Sequence, residues 1–355
     1  MKKKILLIIL FFISFNLYSQ NKFSVVRENK ELEFPKDFGS HKNFKIEWWY
    51  VTGWLDMPNK KNMGFQITFF RYSTKVNVKN TSSFLPKNII IGHAALSDIK
   101  QDKLLYSQKI GREGFNLVYA KENNTDIKLH NWEMKKIQNG NYLVNIFAEK
   151  FNFNFNLQPT QKILLQGNKG FSQKGPLLKQ ASYYYSEPQL IVSGEITYNG
   201  KKTNVSGKAW LDHEWSSSIL DPNALGWDWL GINLNDGGVI TVFKIRGKKG
   251  QDIWRYAIYR SANGNLQKFS FNEIKFQTLE TWRSKLTGTI YPISMEIHLG
   301  SFHFKVFPLQ NNQEFDSRKT TGSVYWEGAI LIKQKNQIIG KGYLELTGYY
   351  KPMKL

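Results

Sequence analysis

The stretch AWLDHEWSSSILDPNALGWDWLG, Ala209 to Gly231, contains two segments of alternating apolar and polar residues with a polar break between them. Such alternation predicts a half-buried β-strand on each side of the break. The break, Ser216 to Gly226, contains Pro222 and separates two strand-rich parts of similar size. We therefore expect it to join two β domains, and ligand sites are common at domain junctions.

Alternation with a period of two recurs along most of the chain. FNFNFNL, residues 151–157, is the clearest case, because it places phenylalanines on one face and asparagines on the other. Short turn sequences such as QNGN, YNGK and NDGG separate these segments. We find no long amphipathic helix. The pattern predicts an all-β chain built of antiparallel barrels or sandwiches.

Residues 1–20 are predicted to be a signal peptide. MKKK precedes an apolar run of 13 residues and Ser19, a small residue at a plausible cleavage position. An uncleaved membrane anchor is the alternative, although the run is short for a membrane span. We expect export to the periplasm, the cell envelope or the medium. The two β domains are then residues 21–218 and 219–355.

The chain has 49 basic and 28 acidic residues, a net charge of +21, and no cysteine. A basic surface attracts polyanions and anionic lipid headgroups. Because the lysines are scattered over hairpin tips, a solvated surface is the simplest interpretation, and peripheral contact with an anionic membrane is the alternative. Export argues against nucleic acid as a partner. The lack of cysteine excludes disulfides, a thiol nucleophile and thiolate metal ligands.

The segment AWLDHEW, read as a strand, has two chemically different faces. His213 and Trp215 lie on one face, and Asp212 and Glu214 lie on the other. Neither neighbouring acid can therefore orient His213, so its partner must come from another strand. The same geometry argues against a metal site in this segment, and we expect no metal.

Two interpretations of His213 remain open from the residues alone. A histidine beside an indole can act as a general acid or base near neutral pH, and indole faces can hold an apolar ligand or stabilise a developing cation. A buried histidine hydrogen-bonded across a barrel is the structural alternative.

Other clusters supply further candidates. Asp228 and Glu47 are possible catalytic partners of His213, although a structural acid is the simpler interpretation of Asp228. A lone histidine such as His93 is more often a core or edge residue than a catalyst. The predicted ligand-binding residues are Trp215, Trp227, Trp229, Trp49, Tyr50, His93, Tyr184 and Glu327.

Several stretches together resemble the carotenoid 1,2-hydratase and AttH-like superfamily, often labelled as secreted hydrolases. They occur in family order from Glu47 to Tyr349. The stretches are EWWYVTGWL, GFQITFFR, GHAALSD, YYYSEPQLIVSGEI, GKAWLDHEWSS, GWDWLGINLNDGG, YWEGAI and GKGYLELTGY. The resemblance implies two consecutive antiparallel lipocalin-like β-barrels with a hydrophobic ligand cavity near their junction.

The resemblance also implies a chemistry. The characterised hydratases add water across a terminal carbon–carbon double bond without a cofactor, through a tertiary carbocation. Their DHxW motif corresponds to His213 and Trp215. The hydratases use a tyrosine and an aspartate on a following strand, where this chain has Phe243 and Ile245. The secreted AttH-like branch therefore fits better than carotenoid hydration.

Three functional hypotheses follow. The first is a cofactor-free acid–base catalyst, such as a hydratase, acting on an isoprenoid or lipid. The second is a non-catalytic carrier of a lipid or another apolar compound in the envelope, with His213 in a structural network. The third, a lipid-ester hydrolase, is weaker because the chain has no G-x-S-x-G motif.

Overall fold

The computed structural model describes residues 23–57, 62–74, 82, 84–99 and 101–353. The predicted signal peptide, residues 1–20, lies outside this range. Within it, helix is limited to two 3-10 turns of three residues each, Lys36–Phe38 and Phe271–Glu273. No helix among these residues is long and apolar enough to cross a membrane.

Among the described residues, the first sheet extends from Ile46 to Ser218. It has 13 antiparallel strands: β1 (Ile46–Asp56), β2 (Asn62–Ser73), β3 (Asn88–Asp98), β4 (Lys103–Arg112), β5 (Val118–Ala120), β6 (Asp126–Leu129), β7 (Trp132–Lys136), β8 (Tyr142–Phe147), β9 (Phe151–Gln158), β10 (Leu164–Leu165), β11 (Phe171–Gln173), β12 (Ala181–Tyr198) and β13 (Lys201–Ser218).

The second sheet begins at Ala224. It has 10 antiparallel strands: β14 (Ala224–Leu234), β15 (Val239–Gly247), β16 (Asp252–Arg260), β17 (Leu266–Phe269), β18 (Ile274–Arg283), β19 (Ile290–Leu299), β20 (Phe302–Pro308), β21 (Glu314–Asp316), β22 (Val324–Gln334) and β23 (Gln337–Leu346).

Both sheets curl into barrels. The first runs in the order β4-β3-β2-β1-β13-β12-β9-β8-β7-β6-β5, and its two ends meet where β3 and β4 contact β5 and β6. The second runs β17-β16-β15-β14-β23-β22-β20-β19-β18, with β16 contacting β18. The predicted fold class, two consecutive antiparallel lipocalin-like barrels, is confirmed. The predicted break at Ser216 to Gly226 contains the connection between the two sheets.

Side-chain alternation fills both barrels. In β9, Phe151, Phe153, Phe155 and Leu157 are buried in the first core, whereas the asparagines between them are at least partly exposed. Burying one such side chain contributes about 2 kcal/mol. The second barrel has its own core around Trp326.

A third apolar cluster joins the two barrels. It contains Tyr50 and Trp54 of β1, Trp210 of β13, Trp229 of β14 and Tyr343 of β23. The indole N–H of Trp54 donates a hydrogen bond of 2.9 Å to the carbonyl oxygen of Gly342. Strands β1 and β13 therefore bury their outer face against the second barrel, and side chains on that face meet residues of the other domain.

Gly53 is a point of close approach in β1. Its pairing with Phe65 and Ala209 continues the register without a bulge. A Cβ added at Gly53 would lie 2.6 Å from the backbone oxygen of Lys208.

We expect Gly53→Ala to lower the free energy of unfolding by about 1–3 kcal/mol, because the backbone of β13 cannot move away at a low cost in free energy.

Urea denaturation followed by tryptophan fluorescence measures this effect. Ser193→Ala, at an exposed position of β12, is the control and should change stability by less than about 0.5 kcal/mol. Equal stability of Gly53→Ala and the wild type would contradict the close-approach interpretation.

Candidate functional site

Strands β1 and β13 pair so that their side chains form two separate chemical environments. Trp49 lies opposite His213, and Glu47 lies opposite Trp215, on the face inside the first barrel. Because alternate residues point the other way, Trp48, Tyr50, Asp212 and Glu214 face the second barrel.

The inner environment is a hydrogen-bond network centred on the buried Glu47. Its Oε1 lies 2.9 Å from Nε2 of His213 and 2.6 Å from Nδ1 of His41. Its Oε2 accepts a 2.8 Å hydrogen bond from Nε of Arg71. The other ring nitrogen of His213 lies 3.0 Å from the hydroxyl of Tyr185. Both partners of His213 thus come from other strands, β1 and β12.

The protonation states in this network follow from burial and neighbouring charge. Burial alone would raise the pKa of Glu47, but Arg71 and His41 hold it well below its usual value. Burial lowers the pKa of His213 to about 4, against the opposing effect of Glu47. A neutral His213 then donates its Nε2–H to Glu47 and accepts the Tyr185 hydroxyl proton at Nδ1. His213 therefore holds Glu47 in place as a neutral donor.

His41 carries the opposite shift. Burial opposes its charged form, but Glu47 and Asp37 outweigh burial and raise its pKa. Its ring stacks on Trp215 with centroids 3.6 Å apart. A protonated His41 bridges the two carboxylates, so charges in this network are balanced within the protein.

The same cluster contains residue types that can ligate a metal. Among the described residues, ligand atoms of His41, Glu47 and His213 lie within 4.8 Å of one another. However, Glu47 is already neutralised by Arg71, and each histidine is hydrogen-bonded through both ring nitrogens. The donor set therefore forms a charge-balanced network without a cation.

The outer environment is a cavity of about 750 Å³ between the barrels. Its apolar walls come from both domains, including Trp48 of β1, Phe70 of β2, Trp227 and Trp229 of β14, and Phe243 of β15. Four acidic side chains line the same cavity: Asp212, Glu214, Glu327 and Glu345. A largely apolar pocket with a few convergent polar groups is the usual form of a small-molecule site.

Two of these acids are already engaged by protein donors. Asp212 accepts hydrogen bonds from the hydroxyls of Tyr184 and Ser186 and from the indole N–H of Trp210. Burial nevertheless raises the pKa of Asp212 to about 7. Glu214 forms a 3.1 Å ion pair with Lys174. Both side chains therefore have limited capacity to bond a ligand.

Glu327 and Glu345 form a pair of carboxyl groups whose oxygens are not all used in hydrogen bonds to the described part of the protein. They lie directly opposite each other on β22 and β23. Burial and the neighbouring Glu345 raise the pKa of Glu327 well above its usual value, and burial raises that of Glu345 to about 7. Glu345 accepts a hydrogen bond from the indole of Trp227, whereas Oε1 of Glu327 has no hydrogen-bond partner among the described residues. Glu327 thus lines the cavity as an acid whose neutral form is favoured by burial, and one of its carboxyl oxygens is enclosed by protein and accepts no hydrogen bond from the described chain.

The structure divides the predicted site residues between the two environments. Those that line the cavity are Tyr50, Trp227, Trp229, His93 and Glu327. Those that do not line it are His213, Trp215, Trp49, Glu47, Tyr184 and Asp228. Strand alternation turns His213 and Trp215 away from the space in which a ligand fits, which favours the structural interpretation of His213 over an acid–base role in the cavity.

Three of the predicted residues have structural partners. His93 hydrogen-bonds Tyr325 and Thr320 of the second domain, and burial lowers its pKa to about 3. Asp228 lies on the opposite face of β14 from Trp227 and is paired with Arg246 at 2.8 Å. The hydroxyl of Tyr184, which does not line the cavity, donates a hydrogen bond to Asp212.

Sequence reasoning missed the acids that matter most at the cavity. The alternation places Asp212 and Glu214 on the face opposite His213, as the structure does, but it does not mark them as site residues. The alternation of β13 was a usable signal, because it left two acids on a face shared with neither His213 nor Trp215.

Phe243 and Ile245 also line the cavity. They stand where the hydratases, by resemblance, carry a tyrosine and an aspartate, so no proton donor comes from β15 here. Acids from β13, β22 and β23 occupy other walls of the same cavity. The cavity therefore contains acids although β15 contributes none to its lining.

Comparison with known proteins identifies relatives over most of the chain. The family model described as AttH-like matches residues 25–349. An AttH protein of Nitrosomonas europaea, solved by crystallography, is 47% identical, covers 92% of this chain and 100% of its own, and superposes with a TM-score of 0.87. Kievitone hydratase from Nectria haematococca shares the fold at 15% identity, with 94% of this chain and 97% of its own covered and a TM-score of 0.68. A search of curated proteins finds no match.

The Glu47 network leads to a stability prediction for His213. We expect His213→Ala to lower the free energy of unfolding by about 3 kcal/mol, because it leaves a hole in the core and removes a donor from a buried carboxylate. Urea denaturation measures the loss. The exposed His303→Ala is the control. A variant as stable as the wild type would contradict a structural role for His213.

The raised pKa of His41 leads to a pH prediction. A histidine with a raised folded-state pKa stabilises the protein fully below its unfolded value of about 6.5 and loses this contribution as pH rises through the folded value. We expect the stability difference between wild type and His41→Asn to be larger at pH 5.5 than at pH 9. Urea denaturation at both pH values measures it, and a constant difference would contradict a charged His41.

Proposed function

The chain belongs to the AttH-like family, and on that premise we propose that it is a cofactor-free acid–base catalyst that adds water across a carbon–carbon double bond of an apolar isoprenoid or lipid ligand bound between the barrels. A hydratase is among the proteins with this fold. The basic and apolar N-terminal sequence supports action outside the cytoplasm, and the net charge of +21 supports contact with anionic envelope surfaces.

The observation that carries this proposal is the state of Glu327. Its pKa is raised by burial and by the neighbouring Glu345, and its Oε1 has no hydrogen-bond partner among the described residues. A general acid must be protonated at working pH and must reach the reacting atom. Burial favours the protonated form of Glu327, which supports the first requirement, and its side chain lies in the wall of the cavity in which a ligand fits, which supports the second.

The chemical step follows from this arrangement. The π electrons of the double bond take the proton of the Glu327 carboxyl, which forms a C–H bond and leaves a carbocation beside a carboxylate. Water then attacks the carbocation and gives one proton back to the carboxyl pair. The net change is the addition of one water molecule. Aromatic faces such as Trp48 and Trp229 stabilise the transient positive charge.

His213 has a different role in this proposal. Its low pKa keeps it neutral, and it lies on the inner face of β13, hydrogen-bonded to Glu47 of β1. It holds β1 and β13 in register, and Trp48 and Asp212 on the outer face depend on that register. We therefore assign His213 a positioning role in the proposed reaction.

Glu327→Gln should abolish hydration while the fold is retained, because the amide keeps the shape of the neutral acid but cannot transfer a proton to carbon. The assay incubates the protein with a lipid extract of its host in heavy-oxygen water. Mass spectrometry then detects any compound that gains one labelled water. We expect this gain with wild type and a loss of at least about 100-fold with Glu327→Gln.

Glu280→Gln, at an exposed position of β18, is the matched control and should retain full turnover. Label incorporation by Glu327→Gln at the wild-type rate would contradict the assignment of the acid. A ligand that co-purifies and is returned unlabelled and unchanged by wild type would identify the protein as a carrier instead.

A further inference from the structure

The cavity between the barrels contains carboxyls without a counter-ion. Asp212, Glu327 and Glu345 have no ion pair among the described residues. Other buried acids are neutralised locally, for example Glu47 and Asp228, each of which contacts an arginine. A chain with 21 more positive than negative charges therefore leaves its uncompensated acids where a ligand fits.

The basic residues of the cavity do not supply this missing charge. Lys174 is already paired with Glu214 at 3.1 Å. Lys351 lines the cavity but is exposed. Asp212 and Glu327 are each at most 3% exposed, so bulk solvent screens them poorly. Buried carboxyls of this kind are stabilised in their charged form only when a cation approaches them.

The cavity walls have the second property that cation binding requires. Trp48, Trp227 and Trp229 line the cavity near the acids, with Phe243 on β15. The ammonium of Lys174 already lies 4.1 Å from the ring centroid of Phe243. Aromatic faces attract ammonium groups, most strongly where water is excluded. The buried Glu327, one oxygen of which accepts no hydrogen bond from the described residues, belongs to the same lining.

From these observations we propose that the cavity binds an apolar molecule bearing an ammonium group, with the ammonium held between the aromatic walls and the Glu327–Glu345 pair. The inference rests on the proposed function only in taking this cavity as the ligand site. With this binding mode, the site prefers cationic amphiphiles to neutral and anionic amphiphiles of the same chain length. A carbocation formed during hydration would be stabilised by the same groups.

Three probes that differ in head group test the proposal: dodecyltrimethylammonium, dodecanol and dodecanoate, each below its aggregation concentration. Binding is measured by quenching of tryptophan fluorescence at physiological ionic strength, where remote surface charges are largely screened. We expect the ammonium probe to bind wild type at least about tenfold more tightly than the alcohol and more tightly still than the carboxylate.

The variants then locate the effect. The double variant Glu327→Gln/Glu345→Gln should bind the ammonium probe about tenfold more weakly than wild type and should bind dodecanol as wild type does. Glu280→Gln should bind all three probes as wild type does. Equal affinities of wild type for ammonium and alcohol would overturn the proposal, as would an equal loss of both in the double variant. If the double variant does not fold, the wild-type ranking alone decides.

The heavy-oxygen assay separates this inference from the proposed hydration. Ammonium selectivity without label incorporation would overturn hydration and keep the cation site. Label incorporation without ammonium selectivity would keep hydration and overturn the cation site.

Discussion

The register of β1 against β13 is the constraint on which both environments depend. Trp49 pairs with His213, and Tyr50 pairs with Asp212. Because neighbouring side chains on a strand point to opposite faces, this single register creates a polar network inside the first barrel and an acidic wall outside it. A shift by one residue would place charged groups in the core and leave Trp49 in the cavity.

The two environments manage charge in opposite ways. Inside the barrel, Glu47 is surrounded by donors from Arg71 and His41, and its low pKa reflects a stable ion pair. In the cavity, burial raises the pKa of both Glu327 and Glu345; Glu345 raises that of Glu327 further, and Glu214 and Asp212 raise that of Glu345. The first arrangement stabilises a fold, and the second keeps acids available for a ligand. This contrast is the physical basis for assigning chemistry to the cavity.

Sequence reasoning succeeded where a local pattern carries the information. Alternation in FNFNFNL and in AWLDHEW gave the strands and their faces, and it established that His213 needs a partner from another strand. It could not decide which face of β13 would meet a cavity. Aromatic density and the histidine made the inner face look functional, although the acids on the outer face are those that line the space between the barrels.

The amino-acid sequence by itself determined the β-strands, the break between the two sheets, the two faces of each strand and the family resemblance, because these depend on residue order over short distances. Only the tertiary structure decided that Glu47 neutralises its charge through Arg71, that Glu327 and Glu345 form a pair, and that the outer face of β13 lines the cavity. Those features depend on which strands pair and how two barrels pack, and such contacts join residues that are far apart in the chain.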